Sequence, residues 1–216
     1  GNGHTISGLY YSGNEPYAGL FPIINQNARI KNLGIENSVI NGGECAGVIA
    51  GYLYMETAIG WVANGYSPNY PSLAQCYIAE NVTVNADYAG GFAGRAVGAG
   101  SVYITLYNCF IGAKINGAKD AGADVGTGWP GWGDYHSYPE NVITTTPFNT
   151  DLFGYKGDHV YATAEDANMP DWFTKLSETE AKGDNAQSSM PGLDFTKIWM
   201  VNENDPVGSY IPPRYT

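Results

Sequence analysis

Hydrophobic and polar positions along this chain form short strand-like runs separated by turn residues. Arg29-Ile30-Lys31-Asn32-Leu33-Gly34-Ile35 alternates polar and apolar side chains with period two, which predicts a strand with one buried face. Glu36-Asn37-Ser38 then reads as a turn, Val39-Ile40 as an apolar pair, and Asn41-Gly42-Gly43 as a second turn. The layout returns at Gln75-Cys76-Tyr77-Ile78, Ala79-Glu80-Asn81 and Val82-Thr83-Val84-Asn85. It returns again at Asn108-Cys109-Phe110-Ile111 and Gly112-Ala113-Lys114-Ile115-Asn116-Gly117. Aligning these runs puts Leu33 with Cys76 and Cys109, Ile35 with Ile78 and Ile111, and Asn41 with Asn85 and Asn116.

Between the runs lie Ala-Gly units. They read Tyr17-Ala18-Gly19-Leu20-Phe21, Cys45-Ala46-Gly47-Val48-Ile49-Ala50-Gly51 and Tyr88-Ala89-Gly90-Gly91-Phe92-Ala93-Gly94, with a weaker copy at Asp120-Ala121-Gly122-Ala123-Asp124-Val125-Gly126. Glycines 19, 47, 90 and 122 are 28, 43 and 32 residues apart. A period of roughly 20–50 residues is the signature of stacked repeats. In such a stack equivalent residues lie about 4.8 Å apart, so each Ile column predicts a dry inward ladder. Asn suits turn positions because it tolerates a left-handed backbone. Gly suits corners that no bulkier residue fits.

These units resemble the Glug motif, a short Gly-hydrophobic-hydrophobic-Gly repeat, at Gly19-Leu20-Phe21-Pro22, Gly47-Val48-Ile49-Ala50-Gly51 and Gly90-Gly91-Phe92-Ala93-Gly94. The opening Gly1-Asn2-Gly3-His4-Thr5-Ile6-Ser7-Gly8-Leu9, the block Ile30-Lys31-Asn32-Leu33-Gly34-Ile35 and the closing Phe195-Thr196-Lys197-Ile198-Trp199 extend the likeness. It covers roughly residues 1–126 and 174–201. The chain departs from the motif at Pro22-Ile23, where a final Gly is usual, and at Asp124, which takes an apolar place. The resemblance implies an all-β fold, a parallel β-helix-like solenoid of about four coils with loop-rich insertions and short helices near the C-terminus. It also implies an exported bacterial protein, secreted or on the cell surface and adhesin-like, and it brings no catalytic residue with it.

Residues 1–126 are read as the repeat region, with an insertion at 60–72 carrying Trp61, Tyr66 and Tyr70. Residues 127–216 are read as an irregular, aromatic-rich region with short helices and a closing strand, packed on the repeats. A short helix is predicted around Met169–Leu176, with Pro170 in its first turn. Ser177-Glu178-Thr179-Glu180 is a capping-box pattern opening another, ended by Gly183. Leu193–Val201 alternates like a strand.

Composition narrows the partners. Charged residues make up only 14%, against about 25% in average soluble domains. Polarity comes instead from hydroxyls and amides, which suits an extracellular surface meeting glycans. The net charge of -11, with no basic run, disfavours nucleic acid, an anionic membrane surface and polyanionic substrates. No apolar run reaches the ~18 residues of a membrane-spanning helix. No signal peptide is visible, and the start already reads as the inside of a repeat, so an upstream part is expected.

The chemistry is sparse. A glycan hydrolase needs two carboxylates about 5–9.5 Å apart. The candidates Asp134, Asp151, Asp158, Glu165 and Asp166 fall outside the aligned columns. Arg29, Arg95 and Arg214 have no clustered acid, as a lyase site would require, and His4, His136 and His159 lack metal-ligand spacing. No calcium loop is present, although Asp184-Asn185 and Asn202-Glu203-Asn204-Asp205 are acidic turns. Cys76 and Cys109 share a column as stacked thiols, at a separation a disulfide would also allow. The aromatic cluster Trp129, Trp132, Tyr135 and Tyr138 is the candidate ligand-binding site; its rings would either stack on sugars or cover the flank of the repeats. The resulting expectation is a non-catalytic module that binds an extracellular glycan or protein, with no catalytic residues, metal or cofactor. A glycan-active lyase or hydrolase and a structural spacer are the alternatives.

Overall fold

Strand after strand of this chain lies parallel to the strand one repeat earlier. The computed structural model describes residues 1–55, 71–100, 102–130, 135–149, 157–163 and 171–199. The first unit runs through β1 (His4–Ser7), β2 (Tyr10–Ser12), β3 (Tyr17–Ala18) and β4 (Phe21–Asn25). The second holds β5 (Arg29–Lys31), β6 (Leu33–Glu36), β7 (Val39–Asn41), β8 (Cys45–Gly47) and β9 (Ala50–Met55). The third holds β10 (Ser72–Ala74), β11 (Tyr77–Ile78), β12 (Thr83–Gly90) and β13 (Ala93–Gly98), and the fourth β14 (Val102–Ile111), β15 (Lys114–Gly122) and β16 (Val125–Pro130). Then come β17 (Tyr135–Thr144), β18 (Asp158–Ala162), β19 (Phe173–Lys175), α1 (Glu178–Ala181) and α2 (Asn185–Ser189).

Each of the four units visits three sheets in the same order. The first sheet collects β1, β5, β6, β10, β11, β14, β17, β18 and β19; the second β2, β3, β7, β8, β12 and β15; the third β4, β9, β13 and β16. All strand pairs among the described residues are parallel. The class is all-β, and no helix among the described residues is long and apolar enough to cross a membrane.

The expected columns are in register. Ile6 faces Ile35, Ile35 faces Ile78, and Ile78 faces Ile111. Ile35, Ile78 and Ile111 are fully buried. Asn85 sits between Asn41 and Asn116, donating its Nδ2 to Asn41 Oδ1 at 2.7 Å and accepting from Asn116 Nδ2 at 2.8 Å. A shorter ladder joins Asn81 to Asn37 at 2.8 Å and Asn37 to Ser7 Oγ at 3.1 Å.

One detail departs from the sequence reading. The period-two pattern does not run unbroken through residues 29–35. Asn32 stands at φ 54°, and so do its equivalents Gln75 (50°), Asn108 (51°), Asn141 (54°) and His159 (49°). A left-handed residue interrupts the alternation, so the inward positions become Ile30, Leu33 and Ile35, and likewise Leu106, Cys109 and Ile111. Asn accepts this backbone better than most residues, which explains its recurrence here.

The same column corrects the reading of residues 127–216 as irregular. Asn141 and His159 extend it because β17 pairs with β14 and β18 with β17, so the first sheet continues past the fourth unit. The helix expected around 169–176 is instead a turn and the strand β19: β18 offers an open edge, and Phe173 and Thr174 suit a strand. Residues 193–198 form turns rather than the expected closing strand. The Asp194 carboxylate accepts from Thr196 N, Thr196 Oγ1 and Lys197 N at 2.9, 2.6 and 3.0 Å, competing with extended pairing. The capping box is present: Ser177 Oγ accepts from Glu180 N, and the Glu180 carboxylate accepts from Ser177 N at 2.8 Å. Both helices pack against the outward side of the first sheet, where Phe110, Ile143 and Tyr161 meet Leu176, Met190 and Trp199. Most of the insertion at 60–72 lies outside the described residues.

The Ala-Gly units have a specific reason. A Cβ on Gly90 would collide with the Ala93 carbonyl and the backbone of Gly126, and one on Gly94 with the backbone of Cys45 and Ala46. Second and third sheets therefore touch backbone to backbone here. Replacing Gly90 with Ala should cost about 3 kcal/mol or more, since backbone cannot move aside as a side chain can. Ile78→Ala, which empties a fully buried ladder position, should cost about 2–5 kcal/mol. Urea unfolding of both variants checks these values.

Candidate functional site

The third sheet turns one face to the core and one to solvent. Ile24, Leu53, Met55 and Ala96 point inward and are buried. The alternate positions point outward and lie in register: Ile23 beside Tyr52 beside Arg95 beside Thr127, and Asn25 beside Tyr54 beside Val97. Parallel stacking at constant register thus builds a flat surface from Phe21, Ile23, Tyr52 and Tyr54. Three of these are unusually exposed for large apolar side chains, at 44% for Phe21, 56% for Ile23 and 41% for Tyr54.

The tyrosine rings are arranged as a row. Tyr52 and Tyr54 lie within 15° of parallel with centroids 6.4 Å apart, and Tyr17 leans on Tyr52 at 4.5 Å. Burial, and then the neighbouring Tyr17, raise the Tyr52 phenol above its usual range, so it stays protonated and able to donate. Beside the row, Arg95 pairs with Glu44 at 3.2 Å, while its Nε is buried without a hydrogen-bond partner. The pair cancels charge at the edge of the aromatic surface. Cys45 lies against this arginine, and its thiol is pushed up to about 11, first by burial and then by Glu44.

A second polar group is fully enclosed. Asp124 follows the column of Ile49 and Phe92 and is buried. Its Oδ1 accepts from Asn149 N at 3.3 Å and its Oδ2 from Tyr135 Oη at 3.5 Å. The Ser137 hydroxyl favours the ionised carboxylate, although it lies outside hydrogen-bond geometry. Burial dominates and moves Asp124 from the ordinary 3.8 to about 6. Asn149 ties the region together by donating Nδ2 to Asp120 Oδ2 at 2.7 Å and to Gly126 O at 2.8 Å.

Of the expected aromatic cluster Trp129, Trp132, Tyr135 and Tyr138, the two tyrosines do not share a face. Tyr135 and Tyr138 are three residues apart on β17, so they point to opposite sides of the strand. Tyr135 is buried toward Asp124, whereas Tyr138 lies 6.1 Å from Tyr103 and nearly parallel to it. Trp129 belongs to β16 and aligns with Val97 on the third sheet; Trp132 lies outside the described residues. Asp134, Asp151, Glu165, Asp166 and Arg214 also lie outside them.

Asp158 faces Glu140 on the neighbouring strand. Both are exposed, Asp158 at 75%, and burial together with the Asp158 charge raises the Glu140 carboxyl. His136 stacks on Tyr103, His159 leans on Asp158 at 3.5 Å, and His4 is exposed on β1. Among the described residues no group of three or more His, Cys, Asp or Glu could hold a metal ion.

Sequence reasoning missed the Tyr52 and Tyr54 face. The available signal was Tyr52-Leu53-Tyr54-Met55, an alternation that continues past the Ala-Gly unit. No family model matches the chain, and neither a curated protein nor a solved structure shows significant similarity to it.

Asp124 gives a pH test. Its folded value lies above its unfolded one, so its contribution is fully present below about pH 4 and is lost as pH rises through about 6. Asp124→Asn keeps an acceptor for Tyr135 and Asn149 and should remove this dependence. Relative to the variant, the wild type should lose about 3 kcal/mol between pH 4 and pH 7. Parallel urea melts of the two proteins across that range would reject the assignment if the two slopes coincide.

Proposed function

We propose that this chain is a Glug-type parallel β-solenoid, an exported bacterial surface module that holds a glycan on the outward face of its third sheet. The solenoid reading is supported by the cyclic order in which four units visit three sheets, and by columns that keep their register. Export is supported by composition: few charges, with many hydroxyls and amides. The observation that carries the binding role is the near-parallel pair of half-buried Tyr52 and exposed Tyr54, flanked by the exposed Ile23 and Phe21.

Flat aromatic rings with a polar tip suit sugars, which present an apolar C–H face edged with hydroxyls. The Tyr52 phenol and the Arg95–Glu44 pair supply donors and acceptors at the edge. That pair is internally neutralised, and the chain's charge is -11, so the ligand is a neutral saccharide rather than a polyanion.

A glycan array followed by calorimetry on the best hit tests this reading. Tyr54→Ala and Tyr52→Ala should each weaken binding by about tenfold, equivalent to one stacked ring. Circular dichroism should show the fold intact. A silent array for the wild type, or unchanged affinity in both variants, removes the glycan role and leaves the spacer alternative.

A further inference from the structure

Cys76 and Cys109 occupy one position on adjacent rungs of the first sheet. Ala74 faces Tyr107 on one side of them and Tyr77 faces Phe110 on the other, which places the two cysteines opposite each other. Both are buried and unbonded. Their sulfurs do the same thing one rung apart. Cys76 Sγ lies 3.2 Å from Ala74 O and 3.8 Å from Ile30 O; Cys109 Sγ lies 3.3 Å from Tyr107 O and 3.3 Å from Leu73 O. Ile30 and Leu73 are themselves register partners, so the two thiols share one orientation. The rung spacing of about 4.8 Å falls within the ~4.4–6.8 Å Cα separation that a disulfide spans. Cys45 has no such partner: its register neighbours are Tyr17 and Tyr88.

We infer that Cys76 and Cys109 are a disulfide site, closed by exchange with a disulfide donor, which staples the third unit to the fourth and leaves Cys45 as the free thiol. The exchange balances. One cysteine thiolate attacks a sulfur of the donor and expels the first donor thiolate. The second cysteine thiolate then attacks the mixed disulfide and expels the other. The two protons lost by the protein go to the two donor thiolates, so the pair is oxidised and the donor reduced. Because both sulfurs are covered, exchange requires the rungs to open, as happens during folding or just below the melting temperature. This site does not depend on the glycan reading.

The test uses the full reduced chain, incubated with oxidised glutathione a few degrees below its thermal midpoint. It is then denatured, alkylated without reduction and mapped by mass spectrometry. The expected result is alkylation at Cys45 alone, a Cys76–Cys109 cross-linked peptide lighter by two hydrogens, and a midpoint raised by about 5–10 °C that reductant reverses. Cys45→Ala should keep both the cross-link and the shift. Cys109→Val, which places in the column the residue already present at Val142, should lose both. Alkylation at all three cysteines, a bond to Cys45, or a cross-link that lowers the midpoint would overturn the inference.

Discussion

Two backbones in contact with no side chain between them set the geometry of this protein. At the Ala-Gly units the second and third sheets approach so closely that a Cβ on Gly47 would meet the backbone of Ala50 and Ala93. Gly51 stands against Tyr17 and Ala18 in the same way, and Gly126 against Tyr88 and Ala89. None of these glycines has a positive φ, so close approach rather than backbone freedom selects them. A contact of this kind is intolerant of slippage. Moving one unit by a residue would bring alanine or a larger side chain into a space that holds none.

Fixed register has consequences on both sides of each sheet. Inside, isoleucine meets isoleucine, and each methyl group packs on an identical neighbour without a size mismatch. At the turns, an asparagine amide can donate to the rung below while its carbonyl accepts from the rung above. A repeated asparagine thereby satisfies itself along the stack, as Asn41, Asn85 and Asn116 do. Outside, the same rule carries Tyr52 and Arg95 onto one flat face. The exposed aromatic face is thus a by-product of the register that stabilises the core.

Much of this was legible in the sequence because columns of like residues are visible without knowing the fold. Ile35, Ile78 and Ile111 aligned, and so did the asparagines and the capping box at Ser177. The parity switch at Asn32 left a trace that the alternation reading passed over: Ile30 lies three residues before Leu33, so a plain period-two strand cannot turn Ile30, Leu33 and Ile35 to one face. The later rungs were hidden for a different reason. Asn141-Val142-Ile143 repeats the opening of Asn108-Cys109-Phe110, but no Ala-Gly unit follows it to mark a further repeat. Aromatic richness around Trp129–Tyr138 then read as a loop cluster, when strand parity sends Tyr135 and Tyr138 to opposite faces.

Asp124 lies where the like-on-like rule gives way. The positions before it in its column are Ile49 and Phe92, and a carboxylate there forfeits the packing they enjoy. Burial of such a group is costly unless specific donors reach it. Those donors come from the segment that follows the fourth unit, Tyr135 and Asn149. A one-residue slip of β17 would turn Tyr135 outward and present His136 or an outward neighbour in its stead. The carboxylate would lose the hydroxyl aimed at it. Asp124 therefore contributes little as a packing residue but discriminates between registers of the strand that comes next. After the last Ala-Gly unit, a buried hydrogen-bonding group takes over the alignment that backbone contact enforces in the earlier ones.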